Sequence, residues 1–278
     1  PAGGEGTVAF FDTANNDLYP KGFFRFQAND APFNFHDVVV ANGTSVEIEK
    51  GVNINANSIS TKDLSGVTIK DAASLNVRYF GIDRNSFLDI LGAPTLNIST
   101  IDIGKGSTLT MSGDETLTAG TININNGGIL TIAKEHTLSL TVSNLNISAD
   151  SFISANAKGY GAGVGQGVPA TYYAGASYGG VGLWNSSTST YGSAEEPVDF
   201  GSGGNGHLAQ GGGAIRIIVT DTLSNNGTIY ANGSRTSSGG SIYITANNIS
   251  GSGTYRANGG ALYCSSVCYG VGGGGRVA

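Results

Sequence analysis

Few side chains in this 278-residue sequence are of the kinds that move protons, hold metals or attack carbonyl groups. Glu47 and Asp89 fall on one outward face with Thr68 between them, in the order Glu47, Thr68, Asp89, Thr110, Thr131, Ser154. On strands stacked about 4.8 Å apart, two rungs separate the carboxylates by about 9–10 Å. That distance suits an inverting pair on a glycosidic bond. A lyase or hydrolase would also need clustered Lys, Arg or His, and no basic residue occupies the face-forming positions. Both acids are therefore read as solvated carboxylates, no catalytic residue is assigned, and the chain is read as a non-enzyme. His36, His136 and His207 fall in three separate segments, so no metal or nucleophile constellation follows, and no cofactor is expected. Cys264 and Cys268 form a local disulfide if the chain is exported and a pair of free thiols otherwise; zinc would need a second Cys or His pair.

The Gly-rich loops carry no Gly-Lys-Ser/Thr run and lack the regularly spaced Asp of calcium-binding nonapeptides, so they read as tight turns that need positive φ. One of them gathers Tyr160, Tyr172, Tyr173, Tyr178, Trp184 and Tyr191. Aromatic rings on exposed loops suit sugar stacking or protein contact, because they bury much area with little loss of entropy. Tyr172, Tyr173, Tyr178, Trp184 and Tyr191 are the candidate ligand-binding residues; the alternative is that the rings fold back onto the body of the protein. Asn-x-Ser/Thr sequons stand at Asn42, Asn97, Asn146, Asn185, Asn226, Asn232 and Asn248, a number that a chain this rich in Asn, Ser and Thr approaches by composition alone.

What must position these groups is a repeat. Val46, Val67, Leu88, Leu109 and Leu130 follow at intervals of 21 residues, and Ile48, Ile69, Ile90, Met111 and Ile132 keep the same beat two positions on. A second register runs Ile54, Leu75, Leu96, Leu117, Leu138, and a third Ile59, Phe80, Ile101, Ile122. Apolar residues two apart share one side of a strand. Three such pairs per repeat predict a right-handed parallel β-helix, an all-β solenoid with three short strands per turn and one continuous core. Outward Asn55, Asn76 and Asn97 are expected to form an amide ladder from turn to turn.

Four parts follow. Residues 1–43 stay outside the ladder and hold Phe10, Phe11, Phe23, Phe24, Phe26, Phe33 and Phe35, an apolar N-terminal cap. Residues 44–155 are the regular solenoid, with a two-residue insertion placed between Leu140 and Leu145. Residues 156–213 are a Gly-, Ser- and Tyr-rich insertion, and residues 214–278 resume the turns. The corner recurs as Ala155-Asn156-Ala157, Ala231-Asn232-Gly233 and Ala257-Asn258-Gly259, each followed by a Gly-rich loop of different length. That side carries the variable insertions and is the expected functional face.

The runs Ala176-Ser177-Tyr178-Gly179-Gly180-Val181-Gly182, Pro197-Val198-Asp199-Phe200-Gly201-Ser202-Gly203-Gly204, Gly212-Gly213-Ala214-Ile215-Arg216-Ile217 and Gly239-Gly240-Ser241-Ile242-Tyr243-Ile244 resemble the Gly-rich parallel β-helix repeats of large microbial secreted and cell-surface proteins. The resemblance covers roughly residues 150–278 and implies an extracellular, adhesive or appendage-like role, with no catalytic residues carried over.

Gross composition agrees. Net charge is −6 and only 12% of residues are charged, which argues against a nucleic-acid partner, and no apolar run reaches membrane-spanning length. The sequence opens at Pro1 without Met and stops on what reads as another strand, so it is expected to be a mature or excised piece of a longer chain. The expected role is a segment of a surface adhesin, stalk or self-assembling filament. Its expected partners are copies of itself, a glycan or a surface protein. A carbohydrate-binding or polysaccharide-degrading β-helix is the alternative, and an ice-binding protein with a flat Thr rank is the third reading.

Overall fold

The structure is a computed structural model that describes residues 8–30, 33–184, 189–205, 208–264 and 268–278. Among these the protein is all-β, its one helical element a three-residue 3-10 turn at Ala28–Asp30. No helix is long and apolar enough to cross a membrane. Successive strands alternate between an 11-stranded and a 9-stranded sheet, and strands adjacent in each sheet run parallel apart from the N-terminal pair. This is the arrangement that a β-solenoid requires.

The apolar columns are those the spacing predicts. In the 9-stranded sheet Val46 pairs with Val67, Val67 with Leu88, Leu88 with Leu109 and Leu109 with Leu130. The column continues through Ile153 and Ile229 to Tyr255. In the other sheet Ile54 meets Leu75 and Ile59 meets Phe80. These side chains merge into one buried core. Each fully buried Val, Leu or Ile contributes about 1.5–3 kcal/mol relative to exposure, which is what fixes the register.

The turns are held by side chains as regular as the core. Thr44, Ser65 and Ser86 each donate a backbone N–H to the hydroxyl oxygen one rung on, Ser65, Ser86 and Ser107, at 3.1, 3.2 and 3.1 Å. All four residues are buried, so the hydroxyls satisfy donors that no water reaches. On the outer face the Asn ladder is present and one rung longer than expected: Asn55 donates to Asn34, Asn76 to Asn55 and Asn97 to Asn76.

Residues 1–43 depart from expectation. Phe24 pairs with Val46 and Phe26 with Ile48, while Phe33 pairs with Ile54 and Phe35 with Ala56. This segment is therefore a further repeat, with Phe where later repeats have aliphatic residues. What caps it is the strand Val8–Asp12, antiparallel to Asp17–Lys21.

The two-residue slip is also displaced. Leu117 faces Leu140 and Ala119 faces Val142, so the extra residues fall between Ile132 and Ser139 rather than after Leu140. Leu138, Leu140 and Val142 alternate perfectly, and a two-residue shift of such a strand leaves its inward set unchanged. At the far end Ile249 pairs with Leu223 as expected but is largely exposed.

Candidate functional site

The excursion begins and ends at one point. Gly159 donates its N–H to Gly211 O and Gly213 to Ala155 O, both at 2.8 Å, which closes the loop at its base. Within it the glycines do something other than turn. Gly201 donates to Gly212 O, Ser202 to Ser238 Oγ and Gly203 to Val164 O, so three consecutive residues bond three different segments. A strand would alternate between two neighbours. A Cβ at Gly212 or Gly240 would stand inside contact distance of backbone atoms of the next segment. Of the excursion's glycines, Gly163, Gly165 and Gly192 have positive φ. The expectation that these glycines serve tight turns is thus corrected for most of them, which are glycine because another backbone lies against them.

This packing sorts the candidate aromatics. Tyr178 is 0% exposed; its hydroxyl lies 2.7 Å from Ser241 Oγ, and Arg276 sits 5.6 Å from its ring centroid. Tyr191 packs against Tyr178 with tilted rings 4.6 Å apart and donates its O–H to Phe200 O at 2.7 Å. Burial pushes both phenols above the ordinary tyrosine value. They fasten the excursion to the strand at Ser241 and are not an open platform. Tyr160 packs edge-on against Phe200. Tyr172 and Tyr173 remain outside, 54% and 47% exposed, in mutual edge contact at 5.5 Å. Sequence reasoning missed their third member, Tyr269, which lies 5.7 and 5.5 Å from them. Tyr269 follows the Cys264–Cys268 disulfide in a short antiparallel hairpin, so the pair is bridged and helps place that ring. Trp184 is also exposed.

Glu47 and Asp89 do share a column through Thr68. Glu47, however, is engaged: Arg25 Nη2 lies 2.9 Å and Lys70 Nζ 3.1 Å from Glu47 Oε2, and both cations also reach Glu49. Partial burial pushes the Glu47 carboxyl up, but hydrogen bonds from Lys70 and Arg25 outweigh it and hold it below the usual range. Arg25 stands in the same outward column, paired with Glu47 from the added repeat, and Lys70 follows the strand Gly66–Ile69, so a column begun at Glu47 finds neither. Among the described residues no cation pairs with Asp89, and burial raises its pKa against a hydrogen bond with Thr110.

His136 Nδ1 lies 3.2 Å from Asp114 Oδ2. His36 Nδ1 lies 3.5 Å from Asp17 Oδ1 and 3.3 Å from Asp37 Oδ2. Asp17, His36 and Asp37 are the group among the described residues whose ligand atoms converge as a metal's would, within 4.8 Å of one another. They come from neighbouring strands nearly one repeat apart, a spacing that would have found them. His207 and the sequon at Asn185 lie outside the described residues. No family model, curated protein or solved structure matches this chain.

Proposed function

We propose that the chain is a segment of an extracellular structural or adhesive protein: a right-handed parallel β-helix with three short strands per turn, acting as a rod that carries contact surfaces. The observation that carries this reading is the unbroken inward column from Phe24 to Tyr255, nine rungs in one sheet. At about 4.8 Å per rung it spans roughly 38 Å. Asn57, Arg78, Ser99 and Gly120 drop out of the pairing in mid-strand, which supports two arms per long strand and hence three strands per turn. The Cys264–Cys268 bridge favours an oxidising compartment, the secreted or cell-surface location. Self-association end to end would extend the rod.

A second reading is favoured by the exposed Tyr172 and Tyr173 beside half-buried Tyr269, a cluster that offers a contact surface for a glycan or a surface protein. Electron microscopy of the native protein, with mass spectrometry of its peptides and surface labelling of intact cells, tests the main reading. Surface-labelled rods or fibres are expected. Discrete globular particles confined to the cell interior would overturn it.

A further inference from the structure

A cleft of about 350 Å³ crosses four adjacent long strands where they bend into the turns, from Ser60 to Asn126. It owes its shape to missing side chains. In the outward column Ser60, Gly81, Asp102, Asn123, the second rung is bare. Tyr79 fills that space from two residues back: its Cε1 and hydroxyl oxygen lie 2.9 Å from where a Gly81 Cβ would stand. The ring therefore leans along the face, which brings the phenol under the influence of the Asp102 carboxylate. Asn123 Nδ2 donates to Asp102 Oδ1 at 2.6 Å, so the carboxylate is itself fixed. Burial, with the Asp102 charge, pushes the Tyr79 pKa up to about 12 and keeps the phenol a donor at physiological pH. A second bare position, Gly104, has Asp83 Oδ1 at 3.1 Å from its absent Cβ. Arg84 closes the rim, its Nη1 3.1 Å from Asp63 Oδ1.

The lining selects its ligand. Lys62 and Arg84 stand against Asp83 and Asp102, with Asp63 held on Arg84 at the rim, so the cleft has no cationic surplus for an anion, and its carboxylates do not converge as a metal's ligands would. The charged side chains in its mixed walls suit no lipid or apolar peptide. A part-exposed aromatic ring beside fixed carboxylates and amides matches an alternation of C–H faces and hydroxyls. We propose that this cleft binds a neutral saccharide, with Tyr79 as the platform and Asp83 and Asp102 as hydroxyl acceptors. The rod role neither requires nor excludes it.

Titration calorimetry of the full chain with neutral hexasaccharides of gluco, manno and galacto configuration tests this. One of them is expected to saturate with a Kd on the order of 0.1–1 mM. Tyr79→Ala should weaken it at least about tenfold, the loss of one ring platform, while Tyr172→Ala and Tyr173→Ala leave it unchanged. Tyr79→Phe should retain most of the affinity. If Tyr79→Ala lowers the unfolding temperature, Asp83→Ala, at a half-exposed side chain, reads the same site. No saturation up to about 10 mM overturns the proposal. So does loss of binding on Tyr172→Ala but not Tyr79→Ala, which moves the site to the excursion, and so does preference for a polyuronate.

Discussion

The backbone N–H of Asn232 donates to Asn156 Oδ1 at 2.7 Å, although 76 residues of chain separate them. The next corner repeats the contact, with Asn258 N–H donating to Asn232 Oδ1 at 2.7 Å. These amides stitch the repeat before the excursion to the two after it. Asn156→Ala leaves a half-buried N–H without its acceptor and is expected to cost about 1–2 kcal/mol in chemical denaturation. Asn156→Asp keeps an acceptor oxygen and should stay close to the parent. Equal losses in both variants would show that the corner amide is not what holds the junction.

The glycines of the excursion and of the turns after it divide by what lies against them. A Cβ at Gly212 would press on the Ala231 carbonyl and the Gly240 N–H, both backbone, whereas one at Gly274 meets nothing within 4 Å. Gly212→Ala is expected to destabilise by about 2 kcal/mol or more, and Gly274→Ala to change stability by less than about 0.5 kcal/mol. Thermal unfolding of the two variants side by side checks the contrast.

Asp89 gives a pH signature of known sign. Burial raises its folded-state pKa, so the native form holds its proton more tightly than the unfolded chain does. Stability on this account falls as pH rises from the unfolded value through the folded one. Asp89→Asn should therefore stabilise the protein at neutral pH, with the advantage vanishing below the unfolded carboxylate pKa of about 3.9. Denaturation midpoints at acid and neutral pH measure it, and an advantage that grows on acidification would refute the burial argument.

Glycan occupancy should follow side-chain engagement. Asn42 and Asn248 are exposed, as is Asn226, whose Oδ1 accepts the Ser252 N–H while its Nδ2 stays outside that bond. Asn97 and Asn146 donate their Nδ2 to Asn76 and Asn123. Expression through a glycosylating secretory pathway is expected to modify the first three and spare these two, as peptide mass spectrometry would show. Occupied Asn97 and Asn146 would mean that modification precedes folding of the ladder.

The columns from Val46 to Ile132 are legible in the sequence because period 2 within a strand and a constant repeat length constrain every position twice. The N-terminal repeat is not, since Phe24 precedes Val46 by 22 residues rather than 21 and aromatic residues mask the alternation. The slip before Ser139 is hidden by a degeneracy of the pattern itself. In the excursion the determinants are backbone-to-backbone contacts between distant segments, and glycine writes no side-chain code for them. Tyr178 and Tyr172 show the result: composition marks both as rings, while burial of one and exposure of the other depend on partners far along the chain.

The buried serine rank has a consequence for how such a chain changes length. The hydroxyls of Ser65, Ser86 and Ser107 each accept from a backbone N–H 21 residues earlier, and the core columns keep the same interval. Duplicating or excising any 21 residues within this stretch hands every side chain a neighbour of the kind it already had. An indel of another size breaks hydroxyl rank, amide ladder and core at once. Recombination between repeats can therefore adjust the height of the protein in steps of about 4.8 Å without inventing a contact.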